Sequence, residues 1–362
     1  MRVIAGKYRG KVLQSFEGRD IRPTIDRVKE SIFNVIQFDV KDSIFVDLFA
    51  GTGSIGIEAL SRGAKSVIFS DIAKSSLDII NSNLKGIDGN YRVLNRDYRE
   101  TLYSIKDQAD FIFVDAPYKM DCIEEICEIA DSKNCLKNNG YIIYEHDENK
   151  EFNLPTKFYI EKRKKFGIVV VDYIKKTDKI CAVTGSFDPI TLGHMCIIEH
   201  AKKLFDKVVV VIAQNEEKKS FFTFDQRRQM VEESLKEYLN VSVEVCNGYV
   251  FEYLNKKNIN VIVRGYRNNV DYEYEREMSA YNKEHGNIDT LLYQASEEES
   301  FISSTQVRNY LEKNEKIIGL VPKSIVKLVN KFYKEKNNDW IKCWRMVTKV
   351  RKSNYSFKER YF

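Results

Sequence analysis

The chain has 362 residues, of which 43% are hydrophobic and 31% charged, with seven cysteines and a formal net charge of +5. No apolar run approaches the roughly 20 residues of a membrane-spanning helix, and the beginning MRVIAGKYRGK has no apolar signal region, so we expect a cytoplasmic protein without membrane contact. The cysteines form no C-x-x-C pair, which argues against a disulfide framework or a zinc site, and we predict no protein-held metal.

The first 29 residues carry basic side chains at spaced positions among few acids. This spacing is typical of a surface that contacts a phosphate backbone, and an ordinary solvated surface explains it equally well. The segment RPTIDRVKESIFNVI follows and predicts an amphipathic helix whose N-cap is Thr24 or Asp26.

The segment SIFVDLFAGTGSIGIEALSRG predicts a buried strand over 44–49 and a helix over 54–61. Gly51, Gly53 and Gly56 form the pattern G-x-G-x-x-G. Glycines in this pattern let the backbone approach a ligand and let the helix pack closely on the strand. The pattern alone also fits a dinucleotide-dependent dehydrogenase.

Three acidic residues stand near the ends of predicted strands. Asp47 lies four residues before the first glycine, where it can meet an ammonium group of a ligand. Asp71 ends the strand SVIFSD, where it can accept hydrogen bonds from ribose hydroxyls. Asp97 ends the run YRVLNRD and is a candidate neighbour of an adenine ring. For Asp47 and Asp71, the alternative is that the carboxylates only cap helices.

The segment DFIFVDAPY places a short polar motif directly after an apolar strand over 111–114. The carboxylate of Asp115 and a backbone carbonyl held by Pro117 can both accept hydrogen bonds from an exocyclic amine, and Tyr118 supplies a face for base stacking. Beside a glycine loop, this motif favours methylation of a base amine. A plain β-turn is the alternative, because Asp and Pro are common in turns.

Residues 1–176 resemble the RsmD-like family of 16S rRNA guanine-N2 methyltransferases, which use S-adenosylmethionine. The resemblance rests on IAGKYRGK, RPTIDRVKESIF, DLFAGTGSIGIEALSRGA and DAPY, although Ala116 departs from the usual Asp-Pro-Pro-Phe/Tyr. It implies methylation of a guanine in 16S rRNA, either free or in a 30S assembly particle. By position, it implies cofactor contacts by Asp47, Gly51, Gly53, Asp71 and Asp97, catalytic contacts to the guanine amine by Asp115, Pro117 and Tyr118, and RNA contacts by Arg22, Thr24 and Arg27.

The first half ends with FYIEKRKKF and IVVVDYIKK, two runs that meet at Gly167 and predict a β-hairpin completing a mixed sheet. The next segment, ICAVTGSFDPITLGH, predicts a buried parallel strand, a turn and a helix that begins near His194. A helix N-terminus offers free N–H donors and the positive end of a dipole, which suits a phosphate group. His194 can donate a hydrogen bond to a phosphate oxygen.

Further along, strands are predicted over 208–213, 241–245 and 259–264, and a helix over 224–239. Arg264 and Arg267 lie three apart at the carboxyl end of a strand, where paired guanidinium groups suit a polyphosphate. The segment FISSTQVR precedes another helix and is either an anion site or a simple Ser/Thr N-cap.

Residues 179–335 resemble the phosphopantetheine adenylyltransferase (CoaD-like) family on the strength of TGSFDPITLGH, RGYR and FISSTQVR. The resemblance implies a homohexamer that joins ATP, with magnesium, and 4′-phosphopantetheine into dephospho-CoA and pyrophosphate, with His194 as a catalytic residue. By position, it implies ATP contacts by Ser186, Phe187, His194, Gly265, Tyr266, Arg267, Glu275, Glu299, Ser300, Phe301, Ile302, Ser303, Ser304 and Thr305, and phosphopantetheine contacts by Ser186, Lys218, Val250 and Arg264.

These elements predict an α/β protein with two domains. We expect an S-adenosylmethionine-dependent methyltransferase Rossmann-like mixed sheet over 1–176 and a nucleotidyltransferase Rossmann-like parallel sheet over 177–336. Residues 337–362 carry seven basic side chains against two acidic ones, which equals the whole net charge, and predict a disordered basic tail.

Three interpretations of function remain at this level. The chain is a bifunctional enzyme, or only the adenylyltransferase is active and the first half is an RNA-binding or assembly module. An NAD-linked oxidoreductase is the third interpretation, and it explains the glycine loop but neither DAPY nor FISST.

Overall fold

The computed structural model describes residues 1–16, 23–117, 119–214, 220–295 and 302–336. The chain divides into two compact units, Met1–Asp178 and a second unit that begins at Lys179. This division lies two residues beyond the predicted end of the first domain. The predicted basic tail, 337–362, lies outside the described residues.

The first unit alternates helices and strands around one seven-stranded sheet of order β3-β2-β1-β4-β5-β7-β6. The first five strands in this order run parallel, while β7 is antiparallel to both β5 and β6, so the predicted mixed sheet is confirmed. Its elements are α1 (Pro23–Val35), β1 (Ile44–Asp47), α2 (Ser54–Ser61), β2 (Ser66–Asp71), α3 (Lys74–Leu84), β3 (Tyr91–Asn95), α4 (Tyr98–Ser104), β4 (Ala109–Val114), α5 (Ile123–Ser132), β5 (Leu136–Asp147), β6 (Phe158–Phe166) and β7 (Val169–Lys176).

Alternate residues of the central strands supply two separate cores. Phe111 and Phe113 of β4 pack with side chains of α1 and α2 on one face, while Ile112 and Val114 pack with α4 and α5 on the other. Both faces are covered by helices, which is why the strands read as nearly continuous apolar runs.

Gly56 sets the distance between α2 and the sheet. A Cβ atom at this position would lie 2.2 Å from the Phe69 ring of β2, closer than side chains pack. The third glycine of the motif therefore allows close helix–strand packing, as its spacing predicts.

The predicted N-cap of α1 is wrong, because the helix begins at Pro23 and places Thr24 and Asp26 in its first turn. Proline suits a first helical position, since its fixed φ is already helical and its missing N–H would have no partner there.

The N-terminal arm is tied to α2 through one buried carboxylate, Glu58, which is 0% exposed. Its two oxygens accept hydrogen bonds from the backbone N–H groups of Ile4 (2.8 Å) and Ala5 (3.0 Å). Arg62 Nε donates to the same carboxylate at 2.8 Å, and Lys29 Nζ lies 3.6 Å away. Two cations and two amides thus compensate a charge that burial alone would destabilise.

The second unit is built on a five-stranded parallel sheet of order β10-β9-β8-β11-β12, as predicted. The predicted helix over 224–239 is shorter and ends at Leu235. The elements of the second unit are β8 (Ile180–Gly185), α6 (Leu192–Leu204), β9 (Lys207–Gln214), α7 (Phe224–Leu235), β10 (Val241–Asn247), α8 (Val250–Lys256), β11 (Val261–Tyr266), α9 (Asn269–Gly286), β12 (Asp289–Gln294), α10 (Ser304–Glu312), a 3-10 turn (Lys323–Ile325) and α11 over 326–336. Within the described ranges, every helix is too short or too polar to cross a bilayer.

Candidate active sites

Three predicted carboxylates lie together at one edge of the first sheet. Asp71 ends β2, Asp47 ends β1 and Asp115 directly follows β4, and these three strands are parallel neighbours. Asp47 is paired with Phe69 of β2 and with Phe113 of β4. Since side chains two residues apart on a strand point to the same face, all three carboxylates lie on one face of the sheet.

The glycine loop is fixed to the second of these carboxylates. Asp71 Oδ2 accepts from the N–H of Gly51 at 2.9 Å, and its Oδ1 accepts from the N–H of Ala73 at 2.8 Å. Gly51 and Gly53 have φ angles of 53° and 76°, a conformation that glycine adopts without steric cost. These hydrogen bonds therefore hold the backbone of the glycine loop against the Asp71 carboxylate.

Asp47 is a buried carboxylate with one oxygen unused. It is 1% exposed, and its Oδ2 accepts from the N–H of Gly56 at 3.1 Å. Its Oδ1 has no hydrogen-bond partner within the described part of the chain. Burial raises the pKa of Asp47 to about 7 against the hydrogen bond from Gly56, and the charges of Asp115 and Asp71 add to the increase. A buried oxygen of this kind fits a ligand donor such as an ammonium group.

The other residues predicted for the first site lie in several places. Asp97 is the N-cap of α4 and accepts from the N–H of Arg99 at 2.8 Å, a cap that was not predicted for this residue. Pro117 is exposed beside the buried Ala116, and Arg27 is exposed on α1. Arg22 and Tyr118 lie outside the described residues, as does the side chain of Thr24.

Glu145 of β5 belongs to the same edge and was not predicted. Tyr144 is paired with Val114, so Glu145 stands opposite Asp115 on the neighbouring strand. Burial raises the pKa of Glu145 to about 8, and the charge of Asp115 adds to the increase. The two carboxyl groups lie on neighbouring strands, and that of Glu145 is protonated in part near neutral pH. Only the register of two strands places them together, and no local sequence signal carries that register.

In the second unit, three arginines hold the end of β8 and the turn that follows it, residues 184–189, which we call the 184–189 loop. Each guanidinium donates to the carbonyl of an alternate loop residue. The pairs are Arg264 to Thr184, Arg227 to Ser186 (2.6 Å) and Arg308 to Asp188 (2.7 Å). The Asp188 carboxylate accepts from the N–H groups of Phe221 (2.6 Å) and Phe222 (2.8 Å). Donors from β11, α7 and α10 thus fix a loop whose Ser186 is exposed while Phe187 is buried.

His194 lies in the first turn of α6 and its ring orientation is set by the helix cap. The backbone N–H of Thr191 donates to His194 Nδ1 at 3.0 Å, and the Thr191 hydroxyl lies 2.9 Å from the same atom. Burial, with the charges of Arg264 and Arg267, lowers the pKa of His194 to about 4. The imidazole is therefore neutral at pH 7 with Nδ1 as acceptor, which leaves its proton on Nε2 as a hydrogen-bond donor.

Arg264, which is half-buried, forms a bidentate pair with the buried Glu275. Arg264 Nε and Nη2 donate to the two carboxylate oxygens of Glu275 at 2.8 and 2.6 Å. Arg267 Nε donates to Asp271 at 2.7 Å on the exposed side of α9. Glu275 thus orients Arg264 toward the 184–189 loop, a contact that the spacing of the two residues did not suggest.

The segment before α10 also meets this loop. Ser303 is the N-cap and accepts from the N–H of Gln306 at 3.1 Å, while the Ser304 hydroxyl donates to the carbonyl of Pro189 at 2.8 Å. Thr305 Oγ1 accepts from Arg308 Nη2 at 2.8 Å. The other predicted residues are Ile302, which precedes the cap, Val250, which begins α8, and Gly265 and Tyr266 in β11; Lys218, Glu299, Ser300 and Phe301 lie outside the described residues.

Among the residues that the structure describes, no group of three or more His, Cys, Asp or Glu side chains is arranged to hold a metal ion.

Comparison with known proteins separates the same two parts. Residues 1–175 match the family model described as conserved hypothetical protein 95, and residues 182–310 match the cytidylyltransferase-like model. Curated phosphopantetheine adenylyltransferases match the second part. The protein from Clostridium kluyveri is 42% identical over 156 residues, covering 42% of this chain and 95% of the relative. The protein from Thermotoga neapolitana is 44% identical over 130 residues, covering 36% of this chain and 81% of the relative.

Solved structures that resemble the first part include a putative methyltransferase from Escherichia coli, which is 27% identical with a TM-score of 0.45. The similarity covers 49% of this chain and 97% of that one. A putative methylase from Haemophilus influenzae is 31% identical with a TM-score of 0.42, covering 49% of this chain and 98% of that one.

Proposed function

Because the chain belongs to the phosphopantetheine adenylyltransferase family through its second unit and joins it to an RsmD-like first unit, we propose that it is a bifunctional enzyme. The second unit transfers an adenylyl group from ATP to 4′-phosphopantetheine, which yields dephospho-CoA and pyrophosphate in coenzyme A synthesis. The first unit transfers a methyl group from S-adenosylmethionine to the N2 amine of a guanine in 16S rRNA.

The neutral His194 beside the 184–189 loop carries the proposal for adenylyl transfer. A phosphate oxygen of phosphopantetheine attacks the α-phosphorus of ATP, and pyrophosphate leaves, so no protein nucleophile is needed. Nε2–H of His194 donates to a phosphate oxygen as charge grows on it in the transition state. We propose that Ser186, Arg264 and Val250 contact phosphopantetheine, and that the segment around Arg267 and the cap of α10 contact ATP.

The test of this half is formation of dephospho-CoA from ATP and 4′-phosphopantetheine by the purified full-length chain. We expect dephospho-CoA and pyrophosphate in equal amounts, detected by chromatography and by a coupled pyrophosphate assay. Consumption of ATP without dephospho-CoA would contradict the proposal.

The row of carboxylates on the first sheet carries the proposal for methyl transfer. We propose that Asp47 and Asp71 bind the ammonium and ribose groups of S-adenosylmethionine, which supplies an electrophilic methyl group. Asp115 and the carbonyl held by Pro117 accept hydrogen bonds from the guanine amine and orient its lone pair. The amine gives up its proton after the methyl group arrives, so Asp115 need not be a strong base.

The test of the first half uses radiolabelled S-adenosylmethionine with protein-free 16S rRNA and with 30S assembly particles. We expect label in N2-methylguanosine after nuclease digestion. Label in another nucleoside would contradict the guanine-N2 assignment. Adenylyl transfer without any methylation of either RNA would instead support a first unit that only binds RNA or assists assembly.

The remaining parts of the proposal follow from the resemblance of each unit. We propose that ATP reacts as its magnesium complex, because magnesium in nucleotide sites is commonly bound through substrate phosphates and water. We also propose a cytoplasmic homo-oligomer, with a hexamer as the arrangement to test by light scattering.

A further inference from the structure

The edge strand β6 of the first sheet carries an exposed run of four cations. Lys162, Arg163, Lys164 and Lys165 follow one another and are all exposed. β6 is the last strand of the seven-stranded sheet and pairs only with β7 in the described structure. Such a concentration of positive charge on one strand favours an anionic partner.

The basic side chains on the two faces of this strand differ in whether they pair with carboxylates. Arg163 makes a bidentate contact with the buried Asp172, at 2.6 and 2.7 Å, and Lys165 pairs with Glu148. Lys162 and Lys164 point to the opposite face. Across the described ranges, neither of their ammonium groups has a carboxylate within 4.0 Å. Two uncompensated charges therefore lie together on one face, and we call them the lysine pair.

Strand register places the lysine pair on the same face as the predicted methyl-transfer site. Lys164 is paired with Val171, which is paired with Glu145, the residue opposite Asp115. One row earlier, Lys162 is paired with Tyr173, which is paired with Ile143. Residues that share a row point to the same face.

The strand order also sets the distance between the lysine pair and Asp115. Three strand spacings separate β6 from β4, which puts Lys164 about 14 Å from the strand end that carries Asp115. β6 also runs parallel to β5 and β4, because β7 is antiparallel to both of its neighbours. The lysine pair and Asp115 therefore lie toward the same edge of the sheet, a few nucleotides apart along an RNA strand.

We propose that Lys162 and Lys164 bind the phosphate backbone of the RNA strand whose guanine enters the site at Asp115. The inference rests on the proposed methyltransferase function of the first unit. Free lysines at spaced positions neutralise successive phosphates without reading sequence. The base that is modified must leave its stack, and backbone contacts beside the pocket hold the flanking nucleotides while it does so.

Lysines on an edge strand also discourage pairing with other chains. That role explains why the side chains are exposed. It predicts aggregation of variants that lack them and no change in their binding of RNA, so the two explanations differ in their measured outcome.

The test compares the full-length chain with the double variant Lys162→Gln/Lys164→Gln. The matched control is Lys41→Gln/Lys65→Gln, which removes the same charge from exposed lysines at the opposite edge of the sheet, before β1 and β2. Binding of a fluorescein-labelled, single-stranded 12-nucleotide RNA with one guanine is measured by anisotropy between 0.05 and 0.5 M salt. Circular dichroism and light scattering establish that all three proteins are folded and unaggregated.

We expect the slope of log K against log salt to fall in magnitude by about 1.4 in the test variant, since each phosphate contact with a single strand contributes about 0.7. At 0.1 M salt this corresponds to roughly 25-fold weaker binding, and the control should match the parent protein. A test variant that binds like the control, or a parent protein that does not bind this RNA, would overturn the proposal.

Methylation of 16S rRNA, measured on the same preparations, separates this inference from the function on which it rests. If the parent protein and the test variant methylate 16S rRNA equally well, the proposed role of the lysine pair is contradicted and the methyltransferase function is supported. If RNA binding depends on the lysine pair but the parent protein does not methylate, the RNA-binding role is supported and the methyltransferase function is contradicted. A higher KM for rRNA with an unchanged kcat in the test variant supports both.

Discussion

Asp47 is ionised only in part near neutral pH, and its unpartnered oxygen is the group expected to meet the cofactor's ammonium. Burial raises the pKa of this carboxyl to about 7, with Asp115 and Asp71 as the charged neighbours on the same edge. An ammonium ligand binds the ionised form, so affinity should increase as pH rises through this pKa.

We predict that S-adenosylhomocysteine, which keeps the ammonium group, binds up to about tenfold more tightly at pH 8 than at pH 6. Asp47→Asn should bind weakly and lose most of this pH dependence. Isothermal titration at both pH values measures the effect. The same pH dependence in Asp47→Asn as in the parent would assign the titration to another group.

His194 offers a second test at this scale. We predict that His194→Ala lowers kcat for adenylyl transfer about 10²- to 10³-fold with a smaller effect on the KM for ATP, because the lost donor acts mainly on transition-state charge. His194→Asn, which retains a side-chain N–H, should keep more activity. Wild-type turnover by His194→Ala in steady-state assays would remove its catalytic role.

The pH profile adds an independent check on this residue. With its pKa lowered to about 4, His194 stays neutral across pH 6 to 9, so its protonation should contribute no change in kcat over that range.

Local motifs explain which site residues could be predicted. Asp47 and Asp71 stand at fixed spacings from a glycine loop, so the strands on which they lie place both carboxylates next to that loop. Glu145 and Arg227 belong to no such motif. The first depends on the register of β5 against β4, and the second on contact between α7 and a loop 41 residues earlier in the chain.

At the scale of elements, the 184–189 loop owes its shape to donors from outside itself. Arg227 is 2% exposed and donates to the Ser186 carbonyl, while its Nε has no partner within the described residues. Burying a charged group is unfavourable unless hydrogen bonds compensate its lost solvation, so the Ser186 carbonyl is a partner that Arg227 requires. Its neighbour Arg228 is exposed and pairs with Glu232 at 2.7 Å, which makes it a matched control.

We predict that Arg227→Met lowers kcat/KM for adenylyl transfer about 100-fold by releasing the Ser186 peptide, since small displacements near a reacting group have effects of this size. Arg227→Lys should recover part of the loss, and Arg228→Met should have almost no effect. Steady-state kinetics with both substrates, alongside melting temperatures, measure this. A folded Arg227→Met enzyme with parental kcat/KM would contradict the positioning role.

Element prediction succeeded where periodicity and flanking residues agreed. The helix over 54–61 and the strand over 66–71 begin and end where the sequence predicts. Helix ends were harder: α1 begins before its expected cap, and α7 ends four residues early at Leu235. Polar residues can occupy either a cap or a first turn, and the sequence alone does not distinguish the two.

At the scale of the whole molecule, each unit has its own sheet, its own apolar cores and its own candidate site. The two proposed reactions share no intermediate. Their kinetic independence is therefore the expected behaviour.

We predict that Asp115→Asn strongly reduces methylation and leaves adenylyl transfer unchanged, and that His194→Ala has the converse effect. Both assays on each purified full-length variant measure this. A change of more than about twofold in the activity of the unsubstituted unit would exceed the additivity expected of independent sites and reveal coupling between them.

The order of elements and the two sheet types could be predicted because strands and helices alternate with distinct periods along the chain. The antiparallel hairpin was visible in the alternating runs on either side of Gly167. The alignment of β6 with the site at β4 was not, because it passes through two intervening strands and depends on their combined register.

The anchoring of the N-terminal arm by Glu58 also limits how this protein can be shortened. A recombinant version that starts after residue 5 would lack the two amides that Ile4 and Ala5 present to the buried carboxylate. It would retain the acid inside α2, the helix that carries the glycine loop. Purification tags are therefore safer as additions before Met1 than as replacements of the first residues.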